Sequence, residues 1–226
     1  RAKLLKKEIE KITDKPISKI ILSHEHFDHV GGTEVFENAK IIAHKDVLLK
    51  ENVDPLDILP NIDTTFTKKM IIDLKSTKIE LIYLGISDGI GPIVTYMPKE
   101  QIVFTADLYD DEGLTPNKFM IDANLLGIRN VLNTITKWPI KYTVNSHGFT
   151  TNPKRLVEIR DFYNDLYDFV VPNVRETLSK YSAQQFIEEY QKKIDNASFP
   201  KYKNWKNAHE IPLYLMQMGT DVMHGG

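Results

Sequence analysis

Three of the chain's seven histidines lie within six residues, in the sequence HEHFDH at positions 24–29. This segment follows an apolar run and precedes two glycines. Imidazoles are the commonest protein ligands for zinc-like cations. Side chains two residues apart on an extended segment point to the same side, so His24 and His26 can reach one ion. Asp28 and His29 lie one step further round the turn, where they are placed for a second ion.

Metal binding explains this cluster better than a structural role does. A lone histidine is usually a surface residue or a hydrogen-bonded core residue. Three histidines and an aspartate in one turn would concentrate desolvation and mutual repulsion if they held no ligand. The zinc-protease pattern His-Glu-x-x-His is excluded, because it requires a histidine where this chain has Asp28.

Composition narrows the classes of partner. The 226 residues are 42% hydrophobic and 27% charged, which is typical of a soluble globular protein. A net charge of −2 gives no basic excess for nucleic acid or an anionic membrane. The absence of cysteine removes disulfides, thiolate ligands and a cysteine nucleophile. We expect a small-molecule substrate, no nucleic-acid or membrane partner, and either a cytoplasmic location or export with a leader removed.

Hydrophobic periodicity and turn residues predict a mixture of strands and helices. The predicted strands are 18–23, 40–44, 70–74, 78–84, 93–97, 101–105 and 142–144, and the predicted helices are 2–13, 33–38, 45–50, 125–138, 153–181 and 183–194. In the first helix, Leu5, Ile9 and Ile12 have helical spacing, so we expect them to pack against the core. Pro172 should kink or split the long helix. This mixture predicts an α/β domain with a helical C-terminal extension.

The order of these motifs resembles the metallo-β-lactamase superfamily, whose fold is an αββα sandwich. Three segments after the histidine-rich turn, 84–89, 94–98 and 103–108, are similar to the family's third-ligand loop, hairpin and bridging-aspartate strand. The Ser-His-Gly sequence at 146–148 is similar to its last ligand loop. The resemblance covers roughly residues 2–170 and implies the αββα fold.

The start of the chain departs from the family pattern. Members normally have several strands before the histidine-rich motif, whereas twenty-three residues precede it here. The resemblance therefore implies a metal-binding domain over 1–170 without its N-terminal strands, and a helical extension over 171–226 packed on the same domain. An uncovered sheet edge promotes association. We expect a truncated segment, with completion of the edge in a homo-oligomer as the alternative.

The resemblance also implies a set of metal ligands. They are His24 and His26 for a first metal, Asp28, His29 and His147 for a second, and Asp107 as the bridge between them. The family usually has a histidine, as the third ligand of the first metal, where this chain has Asp88. A carboxylate there lowers the Lewis acidity of the ion and shifts preference toward iron or manganese. Alternatively, Asp88 is only a turn residue in Ser-Asp-Gly, and the first site has two protein ligands.

The function implied by the resemblance is hydrolysis at two divalent metal ions. Zinc is the expected metal, with iron and manganese as alternatives. A bound cation lowers the pKa of water from about 15.7 toward 7, so hydroxide forms at neutral pH. Asp107 would orient the bridging group, and Asp28 would accept or pass a proton as the catalytic residue. The aspartate at 107 is more similar to thioesterase, lactonase and related branches than to true β-lactamases, so we expect a small-molecule ester, thioester, lactone or sulfate ester.

Two other functions stay open. A pseudoenzyme or binding module would result if the first metal site has degraded at Asp88. A di-iron redox protein is the second alternative, because some members of the family use iron. The flavodiiron branch typically has glutamate where this chain has His26, and no flavin-binding domain is visible in the sequence, which counts against it.

The remaining histidines and the C-terminal aromatic residues have more ordinary predicted roles. His44 ends a predicted strand, where a structural role is favoured over contact with a metal ligand. His209 and His224 are predicted at the surface. Three aromatic residues are expected in the core rather than in a substrate pocket: Tyr202, Trp205 and Tyr214.

Overall fold

Two sheets form the centre of the fold, and helices cover them. The computed structural model describes residues 1–50, 53–54 and 56–225. The strands are β1 (Lys19–Ile21), β2 (Lys40–His44), β3 (Thr64–Phe66), β4 (Lys69–Asp73), β5 (Lys78–Ile82), β6 (Val94–Met97), β7 (Ile102–Phe104) and β8 (Tyr142–Val144). The helices are α1 (Ala2–Glu10), α2 (Phe27–Val30), α3 (Leu125–Ile135), α4 (Lys154–Lys180), α5 (Ala183–Asp195) and α6 (Ile211–His224). Short 3₁₀ helices lie at Thr33–Phe36, Lys45–Lys50, Asn117–Phe119, Pro200–Tyr202 and Ala208–Glu210.

The two sheets differ in strand direction. Strands β1, β2 and β3 form a parallel sheet, with Ile20 opposite Ile41 and Ile42 opposite Thr64. Strands β4 to β8 form a second sheet in chain order, antiparallel except for the parallel pair β7 and β8. The seven predicted strands are confirmed, and each of their ends lies within two residues of the predicted position. The three-residue strand β3 was not predicted, because so short a run gives little alternation to detect.

Alternation along the strands divides the core into three layers. On β2, Ile41 and Ala43 pack with Leu22 on the outer side of the parallel sheet, whereas Ile42 faces the other way. Ile42 shares the layer between the sheets with Leu81 of β5 and with Ile93. Successive strand residues point to opposite faces, so one strand serves two layers. The result is an α/β sandwich.

Helices α3, α4 and α6 form the third layer on the outer face of the five-stranded sheet. Tyr96 of β6 belongs to the same buried cluster as Leu132, Phe162 and Leu215, one from each helix. Removing such fully buried side chains from water stabilises the fold by about 1.5–3 kcal/mol each. The C-terminal helix is therefore part of the main core.

Helix α4 runs unbroken from Lys154 to Lys180 with Pro172 inside it, so of the two predicted effects of this proline, a kink or a split, the split is wrong. Proline removes one backbone donor and crowds the preceding turn. Val170 and Val174, on either side of the proline, are both buried in the core. Their packing favours a continuous helix across the proline.

The prediction that the apolar stripe of the first helix packs against the core is also wrong. Helix α1 ends at Glu10 and has no buried residue. Leu5 is 56% exposed, and Ile12 lies beyond the helix with 84% of its surface exposed. The helix instead contacts the 3₁₀ helix at Thr33–Phe36, where the Lys6 ammonium donates to the carbonyl of Val35 at 3.1 Å.

Candidate metal centre

The histidine-rich segment begins where β1 ends. The N–H of Leu22 donates to the carbonyl of Ile42 at 2.9 Å, which continues the strand pairing by one residue. The chain then enters the single turn of α2. His24 is fully buried and His26 is partly exposed. Both imidazoles approach the carboxylate of Asp88, as alternation on an extended segment predicts.

The loops after β7 and β8 deliver the other predicted ligands to the same place. These strands are parallel, so their carboxyl ends share one sheet edge, and the N–H of Ser146 donates to the carbonyl of Ala106 at 3.2 Å. Asp107 Oδ2 lies 3.0 Å from His29 Nε2 and 3.2 Å from His147 Nε2. The structure thus brings together side chains that lie more than a hundred positions apart in the chain.

Asp28 completes the second predicted set of donors. Its Oδ2 lies 3.4 Å from the Nε2 of both His29 and His147. A four-coordinate ion with bonds of about 2.1 Å holds its ligand atoms about 3.4 Å apart. The spacing of these donors is that of a coordination sphere.

The first predicted set is slightly wider. His24 Nε2 lies 3.8 Å from Asp88 Oδ2 and 3.9 Å from Asp107 Oδ2. His26 Nδ1 lies 4.0 Å from Asp88 Oδ1. The structure therefore places Asp88 with its side chain against both histidines, and Asp107 between the two sets. Asp88 also lies in a turn, since Gly89 has a φ of +81°.

Unpartnered polar atoms show that these residues fit metal ions. His24 Nε2, Asp88 Oδ1 and Asp107 Oδ1 are buried without a hydrogen-bond partner. Buried polar atoms nearly always have a partner, and a bound cation would satisfy unpartnered nitrogen and oxygen atoms that lie in one cluster. Three overlapping groups have donor atoms within 4.8 Å of one another: His24, His29 and Asp107; His24, His26 and Asp88; Asp28, His29 and His147.

The charges of the cluster reflect its burial and crowding. Burial, together with the neighbouring His29 and His26, lowers the pKa of His24 to about 3. Burial raises the pKa of Asp88 to about 7, and the nearby carboxylate of Asp107 adds to the effect. Burial alone would lower the pKa of His29, but the carboxylates around it, above all Asp107, raise it overall. Neutral His24 keeps its lone pair for a cation, and bound cations would relieve the repulsion between the carboxylates.

Glu25 holds the loop that carries Asp88, a role that the sequence analysis did not detect. Its buried carboxylate accepts hydrogen bonds from the N–H groups of Ile90 at 2.7 Å and Gly91 at 3.1 Å. A Cβ on Gly89 would lie 2.6 Å from Glu25 Oε1, so the close approach requires glycine. Glu25, which lies between His24 and His26 in the chain, thus fixes the loop that places Asp88 beside both histidines.

Asp122 orients the second histidine of the motif. Its Oδ2 lies 2.9 Å from His26 Nε2, and the Nδ1 of the same ring faces Asp88. A carboxylate on one ring nitrogen fixes the tautomer and the orientation of a histidine whose other nitrogen binds metal. Ser23 Oγ lies in a comparable place, 3.1 Å from His24 Nδ1.

Asp111 shapes the loop that carries His147. Its Oδ2 accepts hydrogen bonds from the N–H groups of Phe149 at 2.5 Å and Thr150 at 3.0 Å. A Cβ on Gly148 would lie 2.2 Å from Asp111 Oδ1, so this loop also requires glycine. Two successive backbone N–H groups after the glycine therefore donate to one carboxylate.

The sequence carried a signal for only one of these three supporting carboxylates. Glu25 lies inside the motif, between two predicted ligands. Asp122 is 96 positions from His26, and Asp111 is 38 positions from Phe149, so nothing local indicates either contact.

The other histidines and aromatic residues have structural surroundings. His44 is buried, places its Nε2 2.7 Å from the carbonyl of Thr67 and stacks on Tyr83 at 3.7 Å between ring centroids, which confirms its structural role. His209 and His224 are exposed, as predicted. The three C-terminal aromatic residues pack in the core, which confirms their prediction. Tyr202 and Tyr214 are buried in the core cluster, and Trp205 is partly buried and packs against it.

A cavity of about 650 Å³ opens over the donors. Its floor contains the metal-ligand candidates His26, Asp28, Asp88, Asp107 and His147. One side is formed by residues of the segment 115–122, which we call the wall segment. Phe27, Tyr109 and Asp110 complete the lining. The volume is that of a site for a small molecule.

Among the helices that the structure describes, none combines the length and the apolar character needed to cross a lipid bilayer. The longest, α4, is interrupted by charged residues throughout.

Comparisons with known proteins agree with the fold. A family model described as the metallo-beta-lactamase superfamily matches residues 1–51. Among solved structures, the metallo-beta-lactamase from Pontibacter korlensis has a TM-score of 0.61 and 19% identity over 72% of this chain and 76% of that chain. The metallo-beta-lactamase IND-7 has a TM-score of 0.62 and 15% identity over 72% of this chain and 75% of that chain. At these identities the likeness shows the fold.

A curated relative matches part of the chain. The 2,4-dinitroanisole O-demethylase subunit alpha of Nocardioides sp. (strain JS1661) is 32% identical over 98 residues. The match spans 41% of this chain and 29% of that protein's length. A family model of the metallo-beta-lactamase superfamily thus matches the segment that carries the histidine-rich motif, and solved metallo-beta-lactamases share the sandwich fold.

Proposed function

We propose that the chain is a binuclear metal-dependent hydrolase that acts on a small-molecule ester, thioester, lactone or sulfate ester. One observation carries the proposal. The carboxylate of Asp107 lies within 3.0–3.9 Å of the Nε2 atoms of three histidines, His29, His147 and His24. A carboxylate shared between two groups of imidazoles is what a bridging ligand requires. We propose zinc as the metal, because imidazole and carboxylate donors without thiolates suit it, with iron and manganese as alternatives.

The residues around the donors have separate roles in this reaction. Bound metal ions would supply a hydroxide nucleophile at neutral pH and polarise the substrate oxygen. Asp28 is placed to take and pass a proton, because it lines the cavity and 35% of its side chain is exposed. The side chain of Asp107 is less exposed, at 15%, and its carboxylate would fix the positions of the imidazoles around it. The fixed loops keep these groups in place without reorganisation.

A second candidate reaction is hydrolysis of an aryl methyl ether to a phenol and methanol. The name of the partial relative, an O-demethylase subunit, favours it. The apolar side chains at the cavity mouth suit an aromatic ring as well as an acyl chain. This reaction uses the same hydroxide nucleophile and the same donors, so a substrate panel separates it from ester hydrolysis.

Metal content and turnover of two ligand variants test the proposal. His29→Ala and His147→Ala should each lose about one metal ion per chain and most of the activity, because each removes a direct ligand. His209→Ala is the matched control, since its side chain is 79% exposed and lies outside the donor groups. Full metal content and full turnover in both ligand variants would refute the site assignment.

Variants of Asp88 separate the main proposal from its alternatives. Asp88→His should raise occupancy of the first site, and Asp88→Ala should lower it, whereas a mere turn residue would leave the metal content unchanged in both. One metal per chain without turnover of any ester or ether would favour a binding module. A visible oxidised-iron absorption in the purified protein would favour the di-iron alternative.

A further inference from the structure

We infer that the cavity over the metal centre binds an uncharged, largely apolar part of the substrate, and that Phe119 and Ile121 of the wall segment determine this specificity. The inference rests on the proposed function for the reaction, but the binding it describes is measurable without turnover. We expect such a cavity to favour esters, thioesters and lactones with apolar bodies over phosphates and other polyanions.

Exposed apolar side chains at the mouth of the cavity are the first observation. Phe27 is 68% exposed, Phe119 is 64% exposed and Ile121 is 77% exposed, and all three line the cavity. Large apolar groups exposed together beside a polar floor mark a binding surface, because water contact with them is unfavourable. A ligand that covers them gains about 25 cal/mol for each Å² of apolar surface removed from water.

The charges of the lining are the second observation. Among the lining residues that the structure describes, Lys118 is the one amine and no guanidinium is present. Asp110 and Asp122 add two carboxylates beyond the metal-ligand candidates. Phosphate and other polyanions are usually held by arginine forks or several lysines. The carboxylates here would oppose a polyanion, so the lining favours an uncharged group.

The wall segment is held in place by the C-terminal helix, and this is the third observation. Gln217 of α6 donates to the carbonyls of Met120 at 2.5 Å and Ala123 at 2.8 Å. Tyr214 donates to the carbonyl of Thr115 at 2.5 Å. These hydrogen bonds hold the backbone of the wall segment, while Phe119 and Ile121 line the cavity. A preorganised apolar wall loses little entropy when it binds a ligand.

Turnover of an ester series by the zinc-loaded protein tests the inference. The series is 4-nitrophenyl acetate, butyrate and hexanoate, with the charged 4-nitrophenyl hemisuccinate as a comparison of similar length. We expect kcat/KM to rise about fourfold per methylene group until the cavity is filled. The hemisuccinate should react more slowly than the butyrate. A flat series, or a preference for the hemisuccinate, would overturn the inference.

Direct binding tests the cavity even if no ester is hydrolysed. The probe is the neutral fluorophore N-phenyl-1-naphthylamine, titrated into the zinc-loaded protein. Phe119→Ala and Ile121→Ala should each weaken binding about tenfold, because each removes a large apolar contact. Ile187→Ala is the matched control, since this exposed side chain on α5 lies outside the cavity.

The two experiments fail in different ways. Probe binding that depends on Phe119 and Ile121, without turnover of any ester, would sink the proposed hydrolysis and leave the apolar site in place. Ester turnover that is indifferent to chain length would sink the apolar site and leave the hydrolase in place, and probe binding unchanged in both variants would likewise sink the apolar site.

Discussion

Replacing Glu25 should empty the first metal site while the second stays occupied. Glu25 is 8% exposed, and its two carboxylate oxygens each accept one backbone hydrogen bond from the loop that follows Asp88. Glu25→Ala removes both acceptors, whereas Glu25→Gln keeps one carbonyl oxygen for Ile90.

The size of the effect follows from the two bonds. A hydrogen bond to a charged group contributes about 1.5–3 kcal/mol, and a buried donor left unpaired costs a similar amount. The loss of two such bonds therefore disfavours the ordered loop by roughly 3 kcal/mol or more. If this free energy is lost from the loop conformation in which Asp88 binds metal, the dissociation constant of the first site rises about a hundredfold. Glu25→Gln should give about a tenfold rise, because it loses one of the two bonds.

Zinc titration of the metal-free protein against a chromogenic chelator measures both sites at once. The zinc dissociation constant of the first site should rise in the order wild type, Glu25→Gln, Glu25→Ala. The dissociation constant of the second site should stay within about threefold of wild type, because Glu25 acts on metal binding through Asp88 alone. Glu34→Ala, which changes an exposed glutamate nearby, is the control. The reasoning is refuted if Glu25→Ala binds both metals as tightly as wild type. Equal weakening of both sites with a lowered Tm would instead show a general structural role.

Three further outcomes are expected. Asp111→Ala should loosen the His147 loop and weaken second-site zinc binding at least tenfold in the same titration; unchanged affinity would contradict the role of Asp111. Gln217→Ala should speed amide hydrogen exchange in residues 115–122 and raise KM more than it lowers kcat, whereas unchanged exchange there would show that α6 does not hold the wall. Hydrogen bonds from two lysines, Lys180 and Lys193, lower the pKa of Glu176 to about 2. The stabilisation by this carboxylate is thus present above its ordinary pKa and is lost as the pH falls toward 2. Glu176→Gln should therefore lower the Tm of metal-free protein at pH 6 and not at pH 2, and an equal difference at both pH values would contradict this assignment.

The local sequence was sufficient to predict the metal-binding turn. In HEHFDH, the ligand candidates are adjacent in the chain, and alternation on an extended segment places His24 and His26 on one side whatever the rest of the fold does. The strands could be predicted for the same reason, because their hydrophobic alternation is a local property. The burial of Tyr202 and Tyr214 also followed from their type and setting.

Predictions that depended on how elements pack were less secure. The apolar stripe of α1 had the right spacing for burial, but spacing does not supply a surface to pack against, and Leu5 is 56% exposed. Pro172 was expected to kink or split the long helix. The helix does not split, because buried side chains on both sides of the proline favour the helical path. In both cases tertiary contacts outweighed a local preference.

The sequence and its family resemblance supplied the predicted metal ligands, and the tertiary structure decided how close together these residues lie. Asp88 was equally well explained as a ligand or as a turn residue, and its approach to His24 and His26 depends on a loop that Glu25 fixes. The contact of Asp122 with His26 and the anchoring of the cavity wall by Gln217 join segments about a hundred positions apart. No local pattern encodes such contacts, because they arise only when packing of the sheets and helices brings distant loops to one edge.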